Sequence, residues 1–415
     1  MAEWTRVWRP AALAEVETEA SAPVGFESVA FAGIGLSCEM LEPVQLASPE
    51  DWGLVVTELE PWGEVPESEA IDSLSTGETN RGPVATLFSD SKWLAEFLPW
   101  GSDGHLKRRC TSAQSVTAAP CGGYTWNGDD VILIRFVEDG GPDAGSELAD
   151  SLEFGDASQA KAVLHRCGAV LGNYHSEVED VRTTPPDPRR WNARLASLEE
   201  SLRADLIWRA PFTRDVPCML SLGDVRLSDI VGQTVRIGRS RMADCLNEPN
   251  CEFPAIRDLA SLVHDLSRMY HNHGSELDIV ELRSSLIDGW RSTAPEGWCS
   301  TDAFYAHRGG LAIWEYEQCM LDVIEAVSNQ SGAPEPAVII LRHVRGFQKR
   351  MFNNRTLGAL SFMAAFFGIS SIINRFPPSI DELAMPILCF IASVGFYLGY
   401  KSSSPLPERP ITHSV

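Results

Sequence analysis

The chain has 415 residues, 44% hydrophobic and 22% charged, which is room for two or three domains and too apolar for a disordered protein. Its net charge of −23, with only five lysines among 34 basic residues, argues against nucleic-acid binding, which needs clustered positive charge, and implies a solvated acidic surface. The ten cysteines are scattered, and Cys245 and Cys251, the closest two, are followed by no second pair or histidine at zinc-site spacing. His271 and His273 flank Asn272 with no third ligand nearby and read as a polar helix end. Residues 1–10 carry no apolar signal-peptide core, so reduced thiols in a cytoplasmic compartment are expected.

In chain order, residues 24–59 alternate apolar and polar positions between Gly, Pro and Ser breaks, which predicts short strands. Residues 66–83, rich in Glu, Ser, Gly and Thr, predict an exposed loop. Strand texture resumes over 86–136, where the turn Asn127-Gly128-Asp129-Asp130 leads into a strong strand at 131–137. Beyond Ser158 apolar residues recur at helical spacing, predicting helices at 159–178, 191–208, 254–271, 276–290 and 301–327. Strands first and helices later give an α+β fold class.

The C-terminus differs in composition. Residues 357–373 and 383–400 are uninterrupted runs of apolar and small residues, each about 26 Å long as a helix against a hydrocarbon core of ~30 Å. The polar connector 374–382, with Pro377 and Pro378, fits a tight turn, so the pair reads as a transmembrane helical hairpin in a lipid bilayer. Gly358, Ala364, Gly368, Gly395 and Gly399 would let the helices approach closely in lipid. Arg342, Arg345, Lys349, Arg350 and Arg355 precede the first run and Lys401 follows the second. By the positive-inside rule both ends face the cytoplasm, and the basic collar attracts anionic headgroups.

The stretch Ser221-Leu222-Gly223-Asp224-Val225-Arg226-Leu227-Ser228-Asp229-Ile230-Val231 resembles the catalytic loop H-G-D-x-x-x-x-N-[IVL]-[IVL] of the aminoglycoside phosphotransferase and choline kinase superfamily. Other matches follow the family's order. Gly104-His105-Leu106-Lys107-Arg108 resembles the strand whose lysine holds nucleotide phosphates. Residues 131–137, followed by Glu138-Asp139-Gly140, resemble the strand and hinge between lobes. Residues 167–175, ending in His175, resemble a helix that closes on a structural histidine. Residues 253–262 match the helix start D-P-x-x-D-L-A-x-L, where Asp258 ties down the catalytic loop.

The resemblance spans roughly residues 85–330 and implies a two-lobed kinase-like fold, with a β-rich N-lobe at 86–140 and a helical C-lobe at 141–340. Residues 1–85 form an N-terminal extension or part of the small lobe. A basic juxtamembrane segment (341–356), two spans (357–400) and a cytoplasmic tail (401–415) complete the chain. The family would use ATP and Mg²⁺, with Asp224 as general base, Lys107 on the nucleotide and Asp229 and Asp244 as metal ligands. Departures run against that chemistry. Leu222 replaces the bracing histidine, Asp229 an asparagine, and Gly238 stands where the family keeps its metal-binding aspartate. Three functions therefore compete: a membrane-anchored pseudokinase acting as a binding or regulatory module, an active divergent phosphotransferase, and an acidic tethered scaffold.

Overall fold

The computed structural model describes residues 4–102, 104–118, 121–137, 141–182, 187–202, 218–237, 239–246, 252–299, 310–374, 379–404 and 406–414. Three antiparallel strands open the chain: β1 (Ala14–Val16), β2 (Phe26–Gly33) and β3 (Leu36–Pro43), with β2 in the middle. The β2–β3 turn places Ile34 and Gly35 both at positive φ, the geometry that matches the twist of a two-residue hairpin. Helix α1 (Pro49–Val56) follows, started by a reciprocal capping box between Ser48 and Asp51. It lies within a segment whose alternation predicted strands, and burial of Trp52, Val55 and Val56 overrides that pattern.

The main sheet has six antiparallel strands: β4 (Glu60–Gly63), β5 (Ser73–Thr79), β6 (Gly82–Phe88), β7 (Lys92–Phe97), β8 (Cys121–Trp126) and β9 (Asp129–Phe136), in the spatial order β4-β8-β9-β7-β6-β5. The meander β5-β6-β7 is followed by helix α2 (Leu106–Ser112) and then by the β8–β9 hairpin, which inserts between β7 and β4. The expected exposed loop at 66–83 thus contains an edge strand, and the sheet runs across residue 85. Asn127 and Gly128, both at positive φ, make the β8–β9 turn that the sequence marks. Strand β9 is buried on both faces. Ile132 and Ile134 join Ala95, Phe97 and Trp52 in the core under the N-terminal strands, whereas Leu133 belongs to the core of the helical part. That is why its sequence is a continuous apolar run rather than an alternation.

The helical part begins with α3 (Ala144–Phe154), which the sequence reading missed, and continues with α4 (Ala157–Glu177) and α5 (Pro188–Ser201). The rest of the helix expected at 191–208 falls outside the described residues from 203 on. Short strands β10 (Cys218–Met219) and β13 (Phe253–Pro254) pair with each other, as do β11 (Ile230–Val231) and β12 (Thr234–Val235), and α6 (Met242–Cys245) lies between. Helices α7 (Ile256–Asn272), α8 (Ile279–Thr293) and α9 (Leu311–Ser328) match the predicted spans, with residues 301–309 outside the described ones. Gly168 and Gly172 on α4 and Gly289 on α8 bring two backbones together: a Cβ at Gly172 would lie 2.7 Å from Trp290 O, and one at Gly289 2.8 Å from His165 C.

Helix α10 (Ala337–Arg342) leads into α11 (Val344–Asn374), a single 31-residue helix that carries both the basic segment and the first apolar run. With α12 (Ala384–Ser403) it forms an antiparallel pair, both helices being long and apolar enough to cross a membrane, with hydropathies of 1.8 and 1.4. Ser361 and Ser393 each donate to the other's carbonyl at 2.9 Å, and the Asn354 amide reaches Tyr400 O at 2.7 Å. Outside that seam Phe362, Phe366, Phe367, Ile373, Leu388 and Ile391 are exposed. The tail then folds back on the helical part: Arg283 Nη2 donates to Pro407 O at 2.9 Å, and Ile411 is buried.

Candidate functional site

The loop matched to the catalytic motif is held from several sides. Strand β10 leads into it and pairs with β13, which brings the start of α7 beneath it. From there the Asp258 carboxylate accepts Leu222 N at 2.8 Å, Gly223 N at 3.3 Å and the Ser221 hydroxyl. Asp265, two turns on, accepts Leu227 N at 3.0 Å. The end of α4 contributes the Tyr174 hydroxyl, which donates to Leu220 O at 3.0 Å. His175 is wholly buried, accepts Trp290 Nε1 at 2.8 Å and lies 3.5 Å from Asp258. Asp258 and His175 therefore have bracing positions, and Asp258 holds the loop through the backbone amides of Leu222 and Gly223.

Asp224 is buried at the centre of this loop, but its carboxylate is already occupied. Arg81, from the β5–β6 turn, reaches across and pairs with it; Arg226 Nη2 lies at 3.3 Å, Arg241 Nε at 3.5 Å and the Ser261 hydroxyl at 3.3 Å. Burial alone would raise its pKa, yet Arg241, Arg81, Arg226 and Arg268 together hold it well below the usual carboxylate range. A carboxylate so strongly stabilised as the anion is a weak proton acceptor.

The remaining expected ligands lie in the same ionic lattice or serve the loop itself. Asp244 faces Arg194 at 2.8 Å and Arg241 and Arg257 at 3.5 Å. Glu317, buried, receives Arg194 at 2.5 Å and Arg257 at 2.8 Å, while Arg241 also meets Asp322 at 2.9 Å. Asp229 accepts Arg226 N at 2.8 Å and so closes its own 3₁₀ turn; burial pushes its carboxyl up to about 6, against Arg81 and Arg226. Among the described residues no three His, Cys, Asp or Glu side chains gather as metal ligands. A Mg²⁺ ion would need Asp224 and Asp244 freed from their guanidinium partners and Asp229 from the Arg226 amide, so these residues as arranged do not fit one.

Lys107 is corrected by the structure. It lies on helix α2, not on a strand, and its side chain is exposed. The strand reading failed because Asp130, distant in sequence, accepts Leu106 N at 3.2 Å and starts a helix there. The neighbouring Arg109 turns inward instead and donates to Ser221 O at 2.7 Å. Gly238 and the hinge residues Glu138, Asp139 and Gly140 lie outside the described residues. Beside Gly238, Arg239 is buried against the β5–β6 turn, donating to Gly82 O at 3.1 Å, Phe97 O at 3.3 Å and Thr79 Oγ1 at 2.6 Å. Sequence reasoning missed these arginines. The signal was the run Arg236-Ile237-Gly238-Arg239-Ser240-Arg241 directly after the loop.

A cavity of about 90 Å³ remains between the sheet and the helical part, lined by Leu98, Arg109, Asp224, Arg239, Asp244 and Arg257 among others. Small-molecule sites usually enclose roughly 300–1,000 Å³, so this cavity is small by that measure.

No family model and no curated protein matches the chain in sequence. Among solved structures it is similar to a glucosamine kinase at 13% identity, over 79% of this chain and 91% of that one, with a TM-score of 0.50. A glucosamine kinase in complex with glucosamine, ADP and inorganic phosphate aligns at 12% identity, over 79% of this chain and 95% of that one, with a TM-score of 0.48. At such identity the likeness speaks to fold alone, and the chain has a kinase-like fold.

Proposed function

We propose that this protein is a membrane-anchored, degenerate kinase-like module that binds or regulates a partner and does not transfer phosphate. The observation that carries the reading is the caging of Asp224 by Arg81, Arg226 and Arg241. In an active enzyme of this fold the aspartate meets a substrate hydroxyl, and Mg²⁺ and a lysine offset phosphate charge. Here guanidinium groups from the β5–β6 turn and from the segment after β12 occupy the surroundings of the aspartate. The kinase pattern also puts its lysine on the third strand of the small-lobe meander. On β7 the lysine, Lys92, is exposed and lies over the Phe88 ring, while the inward-facing Glu96 is paired with Arg135 and Arg239. The two apolar helices would anchor the body, and their reciprocal serine contacts are of the kind that hold helices together in lipid.

The test is a thermal-shift titration of the full chain in detergent with ATP, with and without Mg²⁺, run beside an ADP-release assay. No Mg²⁺-dependent stabilisation and no ADP above the blank are expected. Metal-dependent stabilisation that disappears in Asp229→Ala would overturn the reading. It would restore an active phosphotransferase with Asp224 as base and Asp229 and Asp244 as metal ligands.

A further inference from the structure

Of the seven described free cysteines, Cys110 and Cys121 are the two whose sulfurs meet, at 3.4 Å. Cys110 sits in the last turn of α2, buried. Cys121 opens β8 and is partly exposed. The Cys110 thiol donates to Cys121 Sγ, and both belong to the packing between α2 and the sheet. A disulfide needs about 2.05 Å between sulfurs, so a rotation of the side chains and a small approach of α2 to β8 would complete one.

We infer that Cys110 and Cys121 form a reversible disulfide, a covalent modification site that ties α2 to the sheet beside the Asp224 loop. The pair is asymmetric. The hydrogen bond from Cys110, with Arg135 nearby, favours the thiolate at Cys121 despite burial, and the same hydrogen bond together with burial disfavours it at Cys110. Cys121, which solvent reaches, is therefore the attacking thiol and Cys110 the resolving one.

The oxidant is a low-molecular-weight disulfide such as glutathione disulfide. The Cys121 thiolate attacks one of its sulfurs, breaks the S–S bond and releases one thiolate, leaving a mixed disulfide on Cys121. That thiolate takes the Cys110 proton; Cys110 sulfur then attacks Cys121 Sγ and expels the second thiolate, which is protonated by solvent in place of the proton Cys121 lost. The protein loses two hydrogens and the small disulfide becomes two thiols, so the exchange balances.

The bond would act on the loop through contacts already present. Arg109, adjacent to Cys110, donates to Ser221 O at 2.7 Å. The segment after α2 is hydrogen-bonded to β12, Val235 N to Val116 O at 2.7 Å and Ala118 N to Val235 O at 3.0 Å. Fixing α2 to β8 thus restrains the helix, the strand that follows the loop and the loop's Ser221 carbonyl together.

The experiment treats the full chain in detergent with glutathione disulfide, alkylates the remaining thiols and maps peptides by mass spectrometry. The expected product is one cross-linked peptide containing Cys110 and Cys121, about 2 Da lighter than the reduced pair and reopened by dithiothreitol. Cys110→Ser should trap Cys121 as a mixed disulfide, and Cys121→Ser should leave Cys110 alkylatable. Hydrogen exchange over residues 106–118 and 220–224 should slow in the oxidised wild-type protein. Glutathionylation of Cys121 without pairing in the wild type, or an unreacted pair while Cys38 is oxidised, would overturn the site. Pairing with unchanged exchange would overturn the coupling to the loop.

Discussion

Asp224 and Asp229 share one short loop, yet charge and burial move their protons in opposite directions. Arginines keep Asp224 ionised, while burial raises Asp229 from 3.8 to about 6. Between those two pH values the folded state holds the Asp229 proton more tightly than the unfolded chain, so this group lowers stability as pH rises, fully above about 6. Asp229→Asn keeps an oxygen for Arg226 N and removes the penalty. It should raise stability by about 1–2 kcal/mol at pH 7.5, less than the full shift because the residue is partly exposed, with no gain near pH 4. Thermal melts of the variant and wild type across pH check this, and an equal effect at both ends would refute it. The sequence showed that Asp229 is a carboxylate where the resemblance expects an amide. It did not show that the carboxylate turns back onto its own backbone. The bracing residues Asp258 and His175 were legible because their motifs are local. The caging arginines were not, because Arg81 arrives from a turn 143 positions away.

At the scale of elements, helical periodicity placed α4, α7, α8 and α9 well, because apolar residues recur at helical spacing in each, although α7 over 256–267 and α9 over 311–322 are buried on every face. Two short helices were misread, for different reasons. Helix α1 lies in a segment of alternating polarity, and α2 starts where the Asp130 side chain, distant in sequence, accepts the Leu106 amide. The α4–α8 crossing depends on glycines that the sequence does reveal, although their purpose appears only in the packing. Gly289→Val would push a side chain into the His165 carbonyl and drive α8 away from α4, also straining the Trp290–His175 hydrogen bond. A loss of about 1–3 kcal/mol is expected. Gly53→Ala in α1 meets open space and should be neutral or stabilising by up to about 1 kcal/mol. Melting both variants tests the crossing, and comparable midpoints would contradict a close-packed seam.

For the whole molecule, the return of the tail onto the body bears on topology. Asn354 near the start of the apolar part of α11 bonds Tyr400 O, Ser403 Oγ at 2.9 Å and Ser404 Oγ at 2.9 Å, and Glu408 approaches Arg291 at 3.8 Å. Both outer ends of the hairpin therefore lie beside the acidic body. If the pair spans a bilayer, Ser379→Cys in the connector, whose residues 375–378 lie outside the described ones, should react with an impermeant maleimide only from the face opposite the body. Glu408→Cys should react only from the body's face. Labelling of both from one side in sealed vesicles would rule out the span.

The sequence by itself determined the α+β order, the long helices and the apolar hairpin with its basic approach, and its resemblance to a family motif pointed to Asp258 as the brace of the loop. Each of these rests on periodicity, composition or a local motif. Only the tertiary structure decided what Asp224 faces, where Lys107 points and which thiols meet. Those depend on Arg81, Asp130, Arg239, Arg241 and Cys121, residues that converge from separate elements and whose charges take effect only once burial removes water between them.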